Sequence, residues 1–418
     1  MRLRKRAFGL LFGAGLLFFL ATNVQAGWLF VLAALLFGAV IAGSLLPVTA
    51  THGVIVERRA PAEVHHGSAA LVDLTVHGGR RSTRRGLIVR DPFLDEADLW
   101  VATVRAGERV EVSSLRTARR RGWHEPGHVT VRSAAPFGVA ERRRRVTVTG
   151  DGTLVVPAVE QLGALPFVHP APTTATAMHT APRRGHGPEY LGIREYRPGD
   201  SMRHVHWAST ARVGTMMVRE FEQEQTRRLA IVVDASRDAE PGPDGFTPLD
   251  RACSAAASVA LAAVAHGHGA RVVTRGNEDG VVEVLAGADE RELLEHLAVL
   301  APADQPTSFV EVLGAAAGSL RGVETTVLVF PTWDAHDPSS LSAAVGSLTA
   351  WVPTVVAVPV VIESGRAGAM TAERLEGLVQ RLRAVGATVR PWRTGESLDS
   401  ALGGGRVHER PRVEAGAP

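Results

Sequence analysis

The apolar positions of the chain follow three successive patterns. Two continuous apolar runs, at residues 7–22 and 28–47, open the sequence and contain no charged residue. Between residues 51 and 165 the runs become short, and apolar residues alternate with polar ones as in half-buried strands. From residue 226 onward, short apolar runs alternate with longer segments of helical period, which is typical of an α/β domain.

The two apolar runs predict a transmembrane helical hairpin in residues 1–50. The second run is about long enough to cross roughly 30 Å of hydrocarbon, and the first could cross with local thinning. Four basic residues between positions 2 and 6 precede the first run, and Arg58 and Arg59 follow the second. The connector between the runs carries no charge. The positive-inside rule then places both termini and the soluble domains in the cytoplasm, on a cell membrane crossed twice.

A secretory signal peptide is the alternative for the first run, with Val24-Gln25-Ala26 as its cleavage site. The second run would then anchor the mature chain with its bulk outside the cell. We favour the hairpin, because an uncleaved pair of spans is a complete membrane unit. The single cysteine, Cys253, excludes an internal disulfide framework and does not decide between the two.

Residues 51–165 contain about eight strand-like runs separated by turns, which predicts an all-β sandwich. Two arginine runs, 119–121 and 142–145, lie within it. We expect a solvated face, because glutamates are interleaved with the arginines. Attraction to anionic lipid is the next interpretation, since each basic side chain near such a surface adds about 1 kcal/mol. Nucleic-acid binding is not expected, because aromatic residues for base stacking are sparse.

The remainder divides into four parts by composition. Residues 166–188 are rich in Pro, Thr and Ala and predict a linker, and residues 189–225 form a charged segment without apolar period. Residues 226–400 predict an α/β domain with a mostly parallel sheet, in which the runs 270–274 and 281–285 could pair as a hairpin. Ligands of such sheets bind at the carboxyl ends of the strands. We expect the tail, 401–418, to be disordered.

The charged segment suits ion pairing more than catalysis. Pro198 and Gly199 preset a turn, and Asp200 can cap the residues after it. Its arginines are forks for carboxylates. We expect these pairs to fasten the segment onto the next domain, since no nucleophile, base and orienting group occur together. Partner recognition by this surface is the second interpretation.

The segment resembles the signature of the bacterial family called domain of unknown function 58. The shared positions are Arg194, Tyr196, Pro198, Gly199, Asp200, Arg203, Trp207, Ser209, Ala211, Arg212, Val218, Arg219 and Glu220. The chain departs at His206, where Asp is usual, and at Ala208, where Lys is usual, so one charge pair is lost. The resemblance implies a following domain similar to the von Willebrand factor A fold, which is Rossmann-like. It also implies association with a MoxR-type AAA+ ATPase in the assembly or maturation of envelope or other complexes.

A von Willebrand A-type domain implies a divalent-cation site after its first strand. There the usual pattern is Asp-x-Ser-x-Ser, which Asp234 and Ser236 match and Asp238 completes with another oxygen. The resemblance makes Thr307 and Asp334 the remaining expected ligands, and Mg²⁺ the expected ion. We favour the simpler interpretation, in which Asp234 and Ser236 cap the following loop. We expect His336 and Asp337 to lie in a polar surface loop.

The chain is therefore expected to be a membrane-anchored multidomain protein that binds a partner and is not an enzyme. Its sequence contains no Gly-rich phosphate loop, zinc-ligand spacing or catalytic triad signature. No small-molecule substrate is expected. The alternative is a metal-assisted hydrolase that uses Asp234, Asp238 and Asp334.

Overall fold

The computed structural model describes residues 2–79, 83–163, 165–168, 184–196, 202, 205–222, 228–242, 244–274, 280–284, 290–303, 308–363 and 368–403. These residues form two compact units, which are described separately. The first comprises Met1–Ala158, Pro241–Asp250 and Leu294–Leu300. The second comprises Val159–Glu240, Arg251–Leu293 and Ala301–Pro418.

The first unit begins with a short strand, β1 (Arg2–Leu3), and two helices, α1 (Lys5–Val24) and α2 (Gly27–Thr51). Both helices are long and apolar enough to cross a membrane. Gln25 lies between them in the left-handed region at φ 56°, and the rings of Phe18 and Phe30 meet edge to face at 5.6 Å. The helix Pro248–Ala265 also meets the length and composition criterion, but 89% of its apolar window is buried.

Ten strands follow the helices in the first unit. They are β2 (Ile55–Arg59), β3 (Glu63–His65), β4 (Ala69–His77), β5 (Arg84–Asp91), β6 (Ala97–Val104), β7 (Arg109–Thr117), β8 (Gly122–His124), β9 (His128–Ser133), β10 (Ala140–Thr149) and β11 (Thr153–Val156). Seven pair in the order β6-β5-β9-β10-β2-β4-β7, and β3-β11-β8 form a separate sheet. The ten strands are two more than the eight or so runs predict, and the short strands β3 and β8 have three residues each, too few to show an alternation.

Arg58, which we counted among the charges that flank the second apolar run, lies inside the β-rich region. Its guanidinium is 2.5 Å from the carboxylate of Asp91, which also lies 3.6 Å from Arg116. Burial lowers the pKa of Arg58. Since removing one partner of a buried ion pair costs about 3–5 kcal/mol, Arg58 belongs to the fold and not to the membrane interface.

The second unit opens with a hairpin and continues as an α/β domain. The hairpin strands are β12 (Arg184–Glu195) and β13 (Met217–Glu222), with α3 (Trp207–Val213) between them. The α/β domain contains β14 (Arg228–Val233), α4 (Pro248–Ala265), β15 (Gly269–Val273), β16 (Val281–Val284), α5 (Arg291–Val299), α6 (Phe309–Ala316), β17 (Thr325–Pro331), α7 (Pro338–Thr349), β18 (Thr354–Val360), α8 (Ala372–Ala384), β19 (Thr388–Val389) and α9 (Leu398–Leu402). Parts of α4 and α5 fall in the first unit.

The six-stranded sheet has the order β16-β15-β14-β17-β18-β19, and every pair is parallel except β15 with β16. The expected β15–β16 hairpin is thus confirmed. Ala230 and Val232 of β14 pack against a cluster that includes Phe309 and Leu341, and Ile231 on the opposite face is also fully buried. A central strand that is buried on both faces explains its continuous apolar sequence.

Two boundaries differ from expectation. The strand β12 begins at Arg184, four residues before the expected end of the linker; residues 169–183 of that linker lie outside the described residues. The sequence pattern predicts a helix over residues 309–320, but α6 ends at Ala316 and the chain continues in turns. Glycine has a low helix propensity, which favours the early end. Residues 404–418 of the expected disordered tail also lie outside the described residues.

Candidate functional site

The strand order reverses at β14, and this places a candidate site at the carboxyl edge of the sheet. From β14 the chain passes through α4 to β15 on one side, and it later returns to β17 on the other. The residues after β14 and after β17 meet at one edge, because the strands are parallel and Val233 pairs with Val329. Ligands of open α/β sheets bind in the crevice at such a switch point.

A pocket of about 420 Å³ lies at this edge. Its walls come from the loop after β14, the start of α6, and the loop and first turns after β17. The lining residues are Ser236, Arg237, Ser308, Phe309, Val310, Glu311, Trp333, Ala335, His336, Asp337, Ser340 and Leu341. Its volume is within the range of about 300–1,000 Å³ that is usual for binding sites.

Asp234 lies beneath this pocket and holds the β14 loop in place. Its backbone N–H donates to the Val329 carbonyl at 2.9 Å, which adds one more residue to the β14–β17 pairing. Its Oδ1 accepts from the backbone N–H of Ser236 at 2.9 Å, and its side chain is fully buried. Asp234 therefore turns the chain so that Ser236 lines the pocket, as the capping interpretation predicted.

The second oxygen of Asp234 faces the imidazole of His336. Oδ2 and Nε2 lie 3.1 Å apart, but neither atom has a hydrogen bond of good alignment to a described residue. The His336 ring also lies 6.4 Å from the Phe309 ring and 6.2 Å from the Phe330 ring. The expectation that His336 belongs to a surface loop is wrong, since it is only 8% exposed and forms the floor of the pocket.

The described residues do not fit a divalent cation in this arrangement. Asp234 is buried against His336, whereas the carboxylate of Asp334 is about half exposed and forms an ion pair with Arg374. Asp238 accepts from the backbone N–H of Ala239, and Thr307 lies outside the described residues. Among the described residues no three His, Cys, Asp or Glu side chains are grouped to hold a metal. The Mg²⁺ site stays a prediction.

The polar groups that remain at the pocket wall are mainly donors. Arg237 is exposed and forms no ion pair with a described residue. The indole Nε1 of Trp333 is buried and also lacks a partner among the described residues, although such a group normally has one. Of these two groups, the exposed guanidinium of Arg237 would favour an anion in the pocket, and the apolar pattern of the sequence carries no signal for it.

The two acidic residues of the pocket wall, Glu311 and Asp337, form capping hydrogen bonds at the starts of helices. Glu311 and Ser308 form a reciprocal capping box at the start of α6. Asp337 caps α7, and hydrogen bonds from the hydroxyl and the backbone N–H of Ser340 lower its pKa. Their negative charges therefore offset the positive ends of the two helices.

The signature segment is a separate feature of the second unit. His206 caps α3, because its Nδ1 accepts from the backbone N–H of Ser209 at 3.2 Å. Trp207, in the first turn, is 64% exposed. Tyr196 donates its backbone N–H to Met216, and Arg212 lies in the last turn of α3.

For several other residues of the signature segment, the described part of the chain does not test the predicted role. Pro198, Gly199, Asp200 and Arg203 lie outside the described residues. Arg194, Arg219 and Glu220 lie in β12 and β13, where the described pairing matches Arg194 with Val218. The predicted ion pairs of these arginines stay predictions.

Residues 192–330 match the family model described as "Protein of unknown function DUF58". These residues, about a third of the chain, are similar to the DUF58 family. The DUF58 segment therefore includes α3, β13 and β14, and the first half of the α/β domain, as the resemblance had indicated.

A relative of this chain is the uncharacterized protein YeaD from Bacillus subtilis. It is 27% identical over 116 residues, which is 27% of this chain and 27% of YeaD. Two solved structures match smaller parts. A CARDB domain from Pyrococcus furiosus is 13% identical over 23% of this chain and 94% of that domain, with a TM-score of 0.16. A β-glucosidase from Listeria innocua is 16% identical over 23% of this chain and 16% of the enzyme, with a TM-score of 0.13. Neither score is high enough to indicate a shared fold.

We predict that His336→Ala destabilises the second unit, since it opens a cavity and leaves the buried Asp234 carboxylate without its neighbour. The expected loss is about 2–4 kcal/mol of unfolding free energy, measured by denaturant unfolding. Asp334→Ala is the control, because it breaks only the exposed pair with Arg374 and should change stability by less than about 0.5 kcal/mol. Equal stability of the two variants would contradict the described packing of His336.

Proposed function

We propose that the protein is a non-catalytic, membrane-anchored interaction module that binds an acidic segment of a partner protein. The binding site is the pocket at the carboxyl edge of the six-stranded sheet. One observation carries the proposal: the exposed guanidinium of Arg237 lies at the pocket wall and forms no ion pair with a described residue. A carboxylate of the partner would pair with it.

The electrostatics of the wall support this choice of ligand. Glu311 and Asp337 are the acidic residues of the wall, and both are hydrogen-bonded at helix starts. Arg237 is the basic residue of the wall, and it is exposed. A charge-assisted hydrogen bond to an arginine is roughly twice as strong as a neutral one, so Arg237 favours an acidic side chain over a neutral one.

The hydrogen bonding of the pocket supports binding rather than catalysis. A hydrolase of the serine type needs a base within hydrogen-bonding distance of its nucleophile. Among the described residues, no hydrogen bond joins Ser236, Ser308 or Ser340 to His336, whose Nε2 faces the buried Asp234. The alternative of a metal-assisted hydrolase has no support from the described acidic residues, which do not surround a common point.

The signature segment offers a second contact area for a partner. Trp207 is 64% exposed, and Met202 and Val213 nearby in sequence are also more than half exposed. Exposed tryptophans are enriched among the residues that carry most of the energy of an interface. A folded hairpin that presents a tryptophan to solvent is better suited to docking than to stabilising the fold.

We further propose that the α/β domain acts like a von Willebrand factor A domain and that its partner is a MoxR-type AAA+ ATPase. The order of strands around β14 and the position of the pocket support the first part. The second part is supported by the family resemblance of the signature segment. In this proposal the complex serves assembly or maturation of envelope or other complexes.

The partner is tested with the full chain in detergent and a MoxR-type ATPase from the same genome. We expect Arg237→Gln to raise the Kd at least about tenfold, since it removes a charge-assisted hydrogen bond to the ligand. Arg383→Gln is the matched control, because it loses the same charge at an exposed position of α8 outside the pocket and should leave the Kd unchanged. A Kd that is the same for all three proteins would refute the pocket as the binding site, and no binding by any of them would refute the partner.

We also propose that both termini, the β-rich region and the second unit lie in the cytoplasm, with α1 and α2 as the two spans. The uncharged connector and the basic residues before α1 support this orientation. Reporter fusions should place Gln25 outside and Pro418 inside the cell. Detection of Pro418 on the outer side would contradict the proposed orientation.

A further inference from the structure

The pairing of β1 with β10 indicates which part of the β-rich region lies nearest to the membrane. β1 pairs with the beginning of β10, Arg2 with Glu141 and Leu3 with Ala140. The next residue, Arg4, donates its backbone N–H to the Val139 carbonyl at 2.9 Å. Because α1 begins immediately afterwards, the first residues of β10 lie at the level where the apolar helix begins.

The contacts of α2 also place the beginning of β10 near the membrane surface. A Cβ at Gly43 would lie 3.1 Å from the Val139 side chain and 3.4 Å from the Phe137 ring, so α2 passes close to this loop. Val139 also shares a buried cluster with Ala7 of α1. α2 therefore leaves the hydrocarbon near Gly43, and its last two turns or so pack on the β-rich region, where Ala50 joins the core.

Four consecutive arginines, Arg142–Arg145, follow in β10, and all four are exposed. Because successive side chains of a strand point to opposite faces, Arg142 and Arg144 extend from one face of the strand and Arg143 and Arg145 from the other. At about 3.3 Å per residue, the run ends within roughly 17 Å of Ala140 along the strand. Arg142 and Arg145 form no ion pair with a described residue, and Arg144 lies 3.4 Å from His52, just after α2. The run thus lies beside the emerging helix.

The carboxylates near the run do not neutralise it. Glu141 accepts from Arg143 and from Arg4, each at 2.6 Å, and these bonds lower its pKa, so one negative charge is shared by two arginines. Across the sheet, Arg143 is directly opposite Arg132, which is held by Asp98 at 2.6 Å. Like charges in opposite positions destabilise a sheet unless an anion lies between them or nearby.

The other arginine run, Arg119–Arg121, differs in this respect. Arg119 pairs with Asp95 and Arg121 with Asp250, each at 2.9 Å. Two of its three members therefore have a counter-ion within the first unit. The run Arg119–Arg121 is therefore used by the fold, whereas the run Arg142–Arg145 lacks enough counter-ions among the described residues.

We propose that Arg142–Arg145 form a binding surface for anionic lipid headgroups, which lies against the membrane while Phe137 inserts at the headgroup level. The occupant is a phosphate-bearing lipid of the same bilayer that α1 and α2 cross. Phe137, which is 48% exposed, lies between the helices and the run. The surface would hold the first unit flat on the membrane and replaces the solvated face expected from the sequence.

The test uses the full chain in nanodiscs and spin-labelled lipids, and it compares the association of phosphatidylglycerol with that of phosphatidylcholine. We expect the wild-type chain to prefer the anionic lipid about fivefold or more at low salt, the effect of one or more arginines near the surface. The triple variant Arg142→Gln, Arg144→Gln, Arg145→Gln should prefer it less than about twofold.

The matched control removes three exposed arginines at the end of the sheet away from α2: Arg59→Gln, Arg119→Gln, Arg120→Gln. It changes the net charge equally and should keep the wild-type preference. A wild-type chain without preference, a triple variant that keeps it, or a control that loses it equally would overturn the proposal. If the triple variant unfolds in phosphatidylcholine discs, the double variant Arg142→Gln, Arg145→Gln decides, since neither residue pairs with a described one; it should lose most of the preference.

Discussion

The parallel pairing of β14 with β17 is the constraint on which the candidate site depends. Val232 pairs with Leu328 and Val233 with Val329, so both strands end at the same edge. The strands have no freedom to shift, because their side chains are buried on both faces and a slip by one residue would exchange those faces. The loops after these two strands must therefore meet above the sheet, and the pocket lies between them.

The same pairing determines what Asp234 can do. Because its backbone N–H extends the pairing with β17, its side chain is held below the pocket, where it turns the β14 loop and meets His336. A carboxylate in that position organises the site and does not contact a ligand directly. Arg237, which can contact one, is exposed at the pocket wall. The binding proposal depends on this difference between a buried supporting carboxylate and an exposed arginine.

The sequence predicted the elements better than the site. The strands around β14 are continuous apolar runs, and the β15–β16 hairpin follows from their spacing, so periodicity was enough for both. The polar neighbours Asp334 and Asp337 predict a surface position for His336, but its ring is buried near the rings of Phe309 and Phe330. Contacts between residues about 100 positions apart, such as Asp234 with His336, leave no periodic signal in the sequence. Whether each arginine run has counter-ions likewise depends on residues distant in sequence.

The central claim is that the pocket holds part of another protein without transforming it. Photo-crosslinking in intact membranes tests this most directly, with a benzophenone amino acid at Ala335, which is exposed at the pocket wall, and at Ala350, which is exposed at the far end of α7. We predict that Ala335 crosslinks to one recurring protein, within a segment that contains Asp or Glu, and that Ala350 does not. Equal crosslinking from the two positions, or no protein product from Ala335, would contradict the claim.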